Sequence, residues 1–408
     1  KRQRRHQPDG SQPQNRFLQQ REDNERRAGV ADSLDKCWVH AVDRSEQPGY
    51  LCGSPEELGM ARDTSPIRAD ERFDEAKVAA YLRTHLHELV GDRPIVFDQF
   101  PGGAANLTYR AVAGSTELVL RRAPHGPVAE RGHDMEREHR VLSRLWNAYP
   151  KAPRSSHFCA DPEVLGKPFF VMERRRGWVI REQWPPVYTD DDRLKRKLAG
   201  ALVDALSELH LVDPTEIGLE DLGRPDGFVE RQVAGWTRRW HAARTRAVTA
   251  MDAASAALAS KAPRPGPTTI LHNDYKLDNT MVDDEGALVA VFDWDMATRG
   301  DALVDLGTLL AYWPDPASPT FPIFGEQAVM LAPHMAKDEV VDRYSSVTGF
   351  DVSEVGYFEG LALFRIAVIV EQIYYRYVNG QTTDERFARF QPLVPILAEA
   401  ACDVLGVC

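Results

Sequence analysis

Hydrophobic residues follow two different periods along the chain. In "IVFDQF", "NLTYRAVAG" and "ELVLRR" they form short runs rich in β-branched and aromatic residues, separated by glycine-containing turns, which is typical of an antiparallel meander. From about residue 188 they recur every three or four positions, which is typical of amphipathic helices. The pattern predicts an α+β protein with a small sheet lobe over residues 66–175 and a larger, mainly helical lobe over residues 176–408.

The first 65 residues lack a sustained apolar period and are rich in Arg, Gln, Asp, Glu, Ser and Pro. Such a segment buries too little apolar surface to offset the entropy lost on ordering it. We therefore expect residues 1–65 to form a disordered tail, and the sequence leaves open whether this tail has a regulatory role.

The stretch "DEAKVAAYLRTHLHELVG" predicts the first helix. Asp74 can serve as its N-cap and Gly91 as its C-terminal stop. The apolar residues expected on its buried face are Val78, Leu82, Leu86 and Leu89.

A second helix, "HDMEREHRVLSRLWN", follows the predicted strands, and "PFFVM" indicates one further buried strand. Glu138 shares a face of this helix with apolar residues and therefore points inward. These neighbours are Val141, Leu142 and Leu145. A buried carboxylate needs a cationic partner, so we expect a basic residue nearby.

Four amphipathic helices are predicted in the large lobe, in "RLKRKLAGALVDALSELH", in "GFVERQVAGWTRRWHAARTRA", and in residues 353–378 and 384–406. Between the second and the third, a Pro-rich connector leads to "TTILH" and then to "TMVD" and "ALVAVFDWD". The last two segments flank a turn at residues 284–286, so they predict a β-hairpin within the helical lobe.

Composition narrows the class of protein. The chain has 408 residues, a formal net charge of −11 and 43% hydrophobic residues, which indicates a soluble protein with a real core and argues against a nucleic-acid partner. The five cysteines have no CxxC or paired spacing, so neither a zinc site nor a disulfide framework is expected.

The most apolar stretch, "LALFRIAVIVEQIYY", contains charges and is too short to span a bilayer, so no membrane association is expected. The basic start of the chain lacks the apolar segment of a secretory signal, and the cytoplasm is the predicted location.

A polar cluster lies where the predicted hairpin begins and ends. His272, Asp274 and Asn279 precede its first strand, and Asp293 and Asp295 end its second strand. Because these two strand ends meet at one rim, we expect the side chains to lie close together. For His272 we expect a structural role, in which the imidazole holds the backbone of the loop.

The spacing H-x-D-x-x-x-x-N, followed by a later Asp, is that of kinase catalytic loops. In such loops Asp274 would accept the proton of an attacking hydroxyl, while Asn279 and Asp293 would hold Mg²⁺ against nucleotide phosphates through oxygen ligands. The alternative is a surface loop whose carboxylates cap strand ends and pair with Lys276 or Arg299. Residue types and spacing together favour the catalytic site.

Several segments of the chain resemble those of one known protein family. The segment "LHNDYKLDNTMVDDEGALVAVFDWDMATRGDALVDLGTLLAYW" is similar to the catalytic segment of the aminoglycoside phosphotransferase and choline kinase-like family, especially the kinase-like domains found alone or fused to acyl-CoA dehydrogenases. Three further stretches agree: "GGAANLTYR", "LVLRRAPHGPVAERGHDMEREHRVLSRL" and "FVERQVAGWTRRW". The resemblance covers residues 72–400 and implies a protein kinase-like fold, ATP and Mg²⁺ as cofactors with GTP as an alternative nucleotide, and a small-molecule hydroxyl acceptor.

In the large lobe, the resemblance implies that Asp274 is the catalytic base and that Asn279 and Asp293 are Mg²⁺ ligands. It places Asp295 where a second carboxylate contact to the metal is expected, and it implies that Asp305 braces the catalytic loop from the following helix.

In the small lobe, the resemblance implies that Arg121 occupies the place of the phosphate-binding Lys and that Glu138 is its partner. The glycines Gly102 and Gly103 would let a loop cover the phosphates, although two glycines also fit an ordinary hairpin turn. Backbone groups near Glu173 would meet the edge of the adenine.

Three positions depart from the family pattern. Asn273 stands where the family has Gly in an HGD triplet, which puts the flexibility of the loop and the room for the acceptor in doubt. Asp295 is one methylene shorter than the usual Glu, which puts its metal contact in doubt. Arg121 replaces the usual Lys and would grip phosphate through two hydrogen bonds instead of acting as a point charge.

The acceptor is less well defined than the nucleotide. The resemblance to dehydrogenase-linked domains suggests a hydroxyacyl-CoA-like metabolite, with an aminoglycoside or macrolide antibiotic as the alternative. A basic helix could line the acceptor side, or it could be a solvated face; its arginines are Arg238, Arg239, Arg244 and Arg246. Trp236 and Trp240, on the same helix, are expected in the core.

Two other classes of function remain open. A metal-dependent hydrolase would use His272, Asp274, Asp293 and Asp295 as ligands. A catalytically silent kinase-like binding module would explain the departures at Asn273 and Asp295. The sequence does not predict the oligomeric state.

Overall fold

An antiparallel sheet of five strands forms the small lobe, in the order β1-β2-β3-β5-β4. The strands are β1 (Ile95–Gln99), β2 (Leu107–Ala113), β3 (Thr116–Arg122), β4 (Ser155–Cys159) and β5 (Phe169–Glu173). The computed structural model describes residues 63–101, 106–124, 134–181, 183–313, 315, 320, 331, 333–382 and 384–407. Residues 1–62 of the predicted tail therefore lie outside the described residues, and Ser65 forms a β-bridge with Gln99.

The predicted meander is confirmed, because β1, β2 and β3 are consecutive antiparallel neighbours. Strand β4 was not predicted. It lies at one edge of the sheet, where its neighbour among the described strands is β5, and its sequence "SSHFC" shows three consecutive half-buried residues instead of a clean alternation. An edge strand that is half exposed carries too weak an apolar signal to be recognised from sequence.

The two faces of the sheet pack against different parts of the protein. The outer face is apolar and packs against α1 (Glu75–His85); its residues include Phe97, Tyr109, Leu120 and Val171. The inner face carries Val119, Phe170 and Met172, which join one continuous core with the large lobe. Two further helices of this lobe are α3 (Met135–Leu145) and the single turn α4 (Pro162–Leu165).

The first predicted helix is broken into two. Asp74 caps α1 by accepting the backbone N–H of Lys77 at 3.0 Å, as predicted. Leu86 leaves the helical conformation at φ −130° and ψ 33°, and the short helix α2 (His87–Val90) follows and ends at Gly91. The expectation of one continuous buried face was wrong at its end, since Leu89 is 37% exposed.

Helix α3 has the predicted orientation. Glu138 is only 1% exposed, and the three apolar residues that share its face, Val141, Leu142 and Leu145, are also buried. Asp134 caps the helix by accepting the backbone N–H of Arg137 at 3.0 Å. The helix therefore carries a carboxylate into the interior of the protein.

Seven helices are described in the large lobe: α5 (Asp192–His210), α6 (Phe228–Ala243), α7 (Thr249–Ser260), α8 (Leu303–Ala311), α9 (Lys337–Thr348), α10 (Val355–Val378) and α11 (Leu393–Leu405). The four predicted helices correspond to α5, α6, α10 and α11, the last of which is preceded by a 3₁₀ segment, Glu385–Phe390. Helix α7 was missed because its alanine-rich sequence has a weak periodicity.

Helix α10 contains the most apolar stretch of the chain and is buried along most of its length. Its charged residues are accommodated by partners: Arg365 donates to the Thr308 hydroxyl at 3.2 Å, and Glu371 accepts the Thr245 backbone N–H at 2.6 Å. Among the described residues, no helix has the length and apolarity that crossing a membrane requires.

Two pairs of short strands carry the polar cluster. The predicted hairpin is present as β7 (Thr280–Val282) and β8 (Leu288–Val291), while β6 (Thr268–Leu271) pairs with β9 (Thr298–Asp301). The backbone N–H of Val291 donates to the carbonyl oxygen of Lys151 at 2.8 Å and so joins the lobes, and a bridge between Trp178 and Val282 ties the start of the large lobe to β7. The division of the chain into lobes between residues 175 and 176 stays a prediction.

A close helix contact predicts a stability difference between two glycines. A Cβ placed on Gly307 of α8 would lie 2.6 Å from the carbonyl oxygen of Phe358 in α10, so Gly307→Ala should force these helices apart. We expect a loss of roughly 1–3 kcal/mol in the free energy of unfolding, measured by urea denaturation. Gly235→Ala in α6 is the matched control, since no backbone atom crowds its Cβ, and it should stabilise the protein by roughly 0.5–1 kcal/mol. Equal effects of the two substitutions would contradict the packing argument.

Candidate active site

The loop between β6 and β7 is held from below by one carboxylate. Asp305, in α8, accepts the backbone N–H groups of His272 at 2.6 Å and of Asn273 at 2.7 Å. Burial raises the pKa of the Asp305 carboxyl, but the hydrogen bond and charge of His210, together with His272, bring it below its usual range. The ionised carboxylate thus fixes the start of the loop.

His272 is a structural residue of the loop. Its Nε2 lies 2.8 Å from the carbonyl oxygen of Phe292. Because a carbonyl oxygen can only accept a hydrogen bond, Nε2 carries the proton. Its Nδ1 then accepts the backbone N–H of Asp274 at 3.2 Å. Because both ring nitrogens are used by the backbone, His272 is unsuited to be a metal ligand or a proton shuttle.

The conformation of Asn273 explains the departure from Gly at this position. Its φ is +67°, in the left-handed region that glycine favours and that asparagine tolerates better than most residues. Its side-chain amide donates to the carbonyl oxygen of Met296 at 2.8 Å. The side chain is therefore committed to the backbone of the opposite strand end, and the loop keeps its geometry.

Asp274 and Asn279 are in direct contact, as the spacing predicted. The Asn279 amide nitrogen lies 2.8 Å from the Asp274 carboxylate and 2.8 Å from the Asp274 carbonyl oxygen. Lys276 Nζ lies 3.3 Å from the same carboxylate oxygen and 4.9 Å above the ring of Tyr312. The pairing with Lys276 that the alternative interpretation expected does occur, but both partners are buried instead of lying on a solvated surface.

Asp293 begins its turn next to Asn279. The backbone N–H of Phe292 donates to the carbonyl oxygen of Asn279 at 2.8 Å, so the residue after Phe292 lies at the same rim. Asp293 has φ +66° and ψ 60°, a strained conformation for a residue other than glycine. This turn directs its carboxylate toward the small lobe.

Arg121 links the small lobe to this carboxylate. Its guanidinium lies 2.5 Å from Asp293 Oδ1 and 3.3 Å from Glu138 Oε2. Burial lowers the pKa of Arg121, but the carboxylates of Glu138, Asp293 and Asp295 raise it by more than burial lowers it. The pKa of Arg121 is therefore above its ordinary value. The cation that the buried Glu138 required is therefore Arg121, and Asp295 belongs to the same electrostatic group.

The donor set fits a magnesium ion better than a hydrolase metal centre. Because the Asn279 amide nitrogen contacts the Asp274 carboxylate, its side-chain oxygen points away from that carboxylate, and Asp293 directly follows Phe292, whose backbone N–H donates to the Asn279 backbone carbonyl oxygen. Mg²⁺ needs only one or two protein oxygens beside phosphate and water. In the described parts of the chain, no three His, Cys, Asp or Glu side chains are grouped as a metal site.

Glu173, Gly102 and Gly103 were also predicted to contact the nucleotide. Glu173 ends β5 and its side chain accepts the backbone N–H of Arg154 at 2.8 Å and a guanidinium N–H of Arg175 at 2.6 Å. The Glu173 side chain thus binds neighbouring residues at the end of β5. The predicted contact of the nearby backbone with adenine stays a prediction. Gly102 and Gly103 lie outside the described residues. The roles predicted for Asp274, Asn279, Asp293 and Asp295 also stay predictions.

The four arginines of the predicted basic helix do not form one basic surface. Arg239 lies 4.4 Å above the ring of Trp236, which is buried like Trp240, and Arg246 pairs with Glu371 at 3.1 Å. A groove of about 650 Å³ lies between α6 and α7, and its charged and titratable lining residues are Glu230, Arg238, His241, Arg244 and Asp252. The lining has both signs of charge and includes no residue of the loop between β6 and β7.

Sequence reasoning missed several residues that support the site. His210 lies 3.4 Å from Asp305 and 2.7 Å from the hydroxyl of Tyr344, and Arg137 donates to the carbonyl oxygen of Ala297 across the lobes. These contacts join residues far apart in the chain. The sequence shows that Arg137 lies at the start of the Glu138 helix, but it does not show that Ala297 is its partner.

The sheet lobe, the helical lobe and the loop between them define a protein kinase-like fold, as the resemblance implied. The sequence matches the Phosphotransferase enzyme family, APH, over residues 96–328, which is more than half of the chain. The protein therefore belongs to this phosphotransferase family.

The chain is also similar to individual proteins. Acyl-CoA dehydrogenase family member 10 from Mus musculus is 29% identical over 359 residues, which cover 86% of this chain and 33% of that protein. The chain thus spans about a third of the length of this curated relative. A candidate aminoglycoside phosphotransferase from Ralstonia eutropha JMP134 has a similar structure, with a TM-score of 0.71 and 26% identity over 82% of this chain and 99% of that one. A thermostable mutant of aminoglycoside phosphotransferase APH(4)-Ia, solved with AMP-PNP and hygromycin B, shares the fold at a TM-score of 0.50 and 13% identity, covering 79% of this chain and 98% of that one.

The bracing carboxylate predicts a pH-dependent loss of stability. At about pH 7, Asp305→Asn should lower the free energy of unfolding by roughly 2–3 kcal/mol, because a neutral amide replaces a charged acceptor of two N–H groups. The folded-state pKa of Asp305 is lowered. Its stabilisation is therefore complete above the unfolded pKa of about 4 and is lost as the pH falls through the folded value.

The difference between parent and variant should consequently shrink below about pH 4, which urea unfolding at a series of pH values would measure. Asp403→Asn, an exposed carboxylate of α11, is the matched control and should show no such difference. A constant difference for Asp305→Asn down to about pH 2 would contradict the assignment.

Proposed function

We propose that the protein is an ATP- and Mg²⁺-dependent phosphotransferase that moves the γ-phosphate to a hydroxyl of a small molecule. One observation carries this proposal: Arg121 connects the buried Glu138 of the small lobe to Asp293, beside the Asp274–Asn279 pair. A cation from one lobe and oxygen ligands from the other are what a nucleotide's phosphates require at an interlobe site.

Asp274 is the proposed base for the acceptor hydroxyl. Asn279 and Lys276 both contact Oδ2, so we assign Oδ1 to the acceptor. A carboxylate oxygen that faces the acceptor can take the proton of the hydroxyl as the phosphoryl group is transferred. The backbone of the loop is fixed by Asp305 and His272, and this supports a base held in one orientation.

Asn279 and Asp293 are the proposed ligands of Mg²⁺, with Asp295 as a further carboxylate nearby. When bound, the ion would supply neutralisation of the negative charge on the phosphates. Arg121 holds Asp293 in the structure, and it is the group expected to turn toward the phosphates when a nucleotide enters. Arginine at this position would make two hydrogen bonds to phosphate oxygens while Glu138 keeps it aligned.

The nucleotide and the acceptor are supported by related proteins. The structure of the APH(4)-Ia mutant contains AMP-PNP and hygromycin B, which supports an adenine nucleotide and leaves an aminoglycoside or macrolide as the alternative acceptor. GTP remains the alternative nucleotide. We favour a hydroxyacyl-CoA-like acceptor, because the mouse relative, of which this chain matches about a third, is named for acyl-CoA dehydrogenase.

A pair of substitutions separates binding from chemistry. Asp293→Ala should abolish binding of Mg-ATP, because it removes a carboxylate ligand, and isothermal titration calorimetry measures this directly. Asp274→Ala should leave Mg-ATP affinity near that of the parent while kcat falls roughly 10²–10⁴-fold, because the base acts mainly in the transition state. Asp403→Ala is the matched control and should change neither quantity. If Asp293→Ala bound Mg-ATP as tightly as the parent, the metal assignment would be wrong.

The acceptor class is tested by ATP consumption with a panel of hydroxyacyl-CoAs, aminoglycosides, macrolides and choline-like alcohols. We expect hydroxyacyl-CoAs to stimulate turnover in the parent and not in Asp274→Ala. Stimulation by an antibiotic alone would establish the alternative acceptor. Mg-ATP binding without turnover for every acceptor would favour the catalytically silent binding module.

A further inference from the structure

The strand β4 has a different neighbour on each of its two faces. Its register against β5 places Ser155 opposite Met172, which is an inner-face residue. The register then shifts, and His157 lies opposite Val171, which is an outer-face residue. Residues directly opposite in an antiparallel pair project to the same face. His157 therefore lies on the face that α1 covers, and Ser155 lies on the face toward α3.

Three aromatic rings meet on the outer face of β4. The hydroxyl of Tyr81, in α1, lies 2.9 Å from His157 Nε2. One turn later in α1, the ring of His85 stacks on Tyr81 with centroids 4.0 Å apart, and it lies 5.1 Å from the ring of His157. His85 Nδ1 lies 3.0 Å from the carbonyl oxygen of Tyr81, so Nδ1 carries the proton of the neutral ring. The contact between α1 and β4 thus contains two histidines.

A third histidine holds β4 from the inner face. His139, in α3, directly follows Glu138, and its Nδ1 lies 2.8 Å from the hydroxyl of Ser155. This hydroxyl donates to the carbonyl oxygen of Val171 at 3.2 Å, so it accepts the hydrogen bond from His139. The ring of His139 also stacks on Phe158 of β4, with centroids 5.8 Å apart. These contacts tie the helix that carries Glu138 to β4.

The surroundings of these rings disfavour a second proton. Burial lowers the pKa of His157, and the charges of His85 and His139 lower it further. Burial also lowers the pKa of His139, and so does the charge of Arg144 on the same helix. Further titratable groups packed beside the rings are Tyr81, Cys159 and Asp161. The negatively charged one, Asp161, is engaged as the N-cap of α4. Both imidazoles are therefore held in their neutral form.

We propose that β4 is a pH-sensitive link between α1 and α3 and that protonation of its histidines weakens nucleotide binding; the second part rests on the proposed function. A proton on His157 would place a cation in a half-buried position beside His85, and a proton on His139 would do the same on the other face. Glu138 lies 3.3 Å from Arg121, the cation proposed for the phosphates. Loosening α3 from β4 therefore frees the carboxylate that aligns this cation.

Acid should weaken both contacts of β4. An unfolded histidine has a pKa of about 6.5. Because the folded-state pKa values of His139 and His157 are lower, a chain opened at β4 binds more protons than the folded chain below about pH 6.5. The contacts are therefore at full strength above that pH and are lost as the pH falls from it through the folded values.

Amide hydrogen exchange, corrected for the intrinsic effect of pH, would measure the opening of α1 and α3 at about pH 7.5 and about pH 5.5. In the parent, the protection of both helices should fall roughly five-fold or more at the lower pH. The double variant His139→Gln/His157→Gln keeps polar amides that do not titrate, so it should lose this pH dependence. His241→Gln, which changes an exposed histidine of α6, is the matched control and should behave as the parent.

Calorimetry at the same two pH values tests the effect on the nucleotide. On acidification, the Kd of the parent for Mg-ATP should rise roughly five-fold more than that of the double variant. Protonation of ATP itself affects the parent and the variant alike, so the comparison isolates the contribution of the protein.

Equal pH dependence of protection in the parent and the double variant would overturn the inference. Titration of His139 and His157 at or above the pKa of an unfolded histidine, followed by NMR in the parent, would also overturn it and needs no variant to fold. Acid-dependent opening with an equal change of Mg-ATP affinity in both proteins would remove the link to the nucleotide. No binding of Mg-ATP by the folded parent at either pH would remove the proposed function, whereas the acid-dependent opening of α1 and α3 would still support the link through β4.

Discussion

The site depends on one buried carboxylate that accepts two backbone N–H groups. Asp305 fixes the first residues of the loop between β6 and β7, and this is what allows Asn273 to hold a left-handed conformation and His272 to span from Phe292 to Asp274. A loop with so many short polar residues would otherwise have many conformations available. Because Asp305 belongs to a buried helix, the position of the loop is set by the core of the large lobe.

The second constraint acts between the lobes. Arg121 is buried with one carboxylate from its own lobe and one from the other, and such a group cannot lose a partner without leaving an uncompensated charge. The pair therefore specifies how the two lobes meet, more than it adds to stability. In the proposed function the same cation exchanges Asp293 for phosphate, so the contact that orders the lobes would also respond to nucleotide.

The inner face of the sheet has two electrostatic regions. Around Arg121 the carboxylates belong to both lobes and surround the proposed phosphate position. Around Arg110 they belong to the small lobe and the segment before it, and they neutralise the arginines locally. The same side-chain type thus lies in two different electrostatic settings, one shared between the lobes and one neutralised within the small lobe and the segment before it.

The sequence by itself determined the class of fold, the family and the residues of the loop, because apolar periods and the H-x-D-x-x-x-x-N spacing are local properties of the chain. It also determined that Glu138 points inward, since a helix face follows from spacing alone. Only the tertiary structure decided where the first helix breaks, that β4 completes the sheet, and that Arg110 lies beside Arg121 on one face. Those features depend on strand register and on contacts between residues far apart in sequence, which no local pattern encodes.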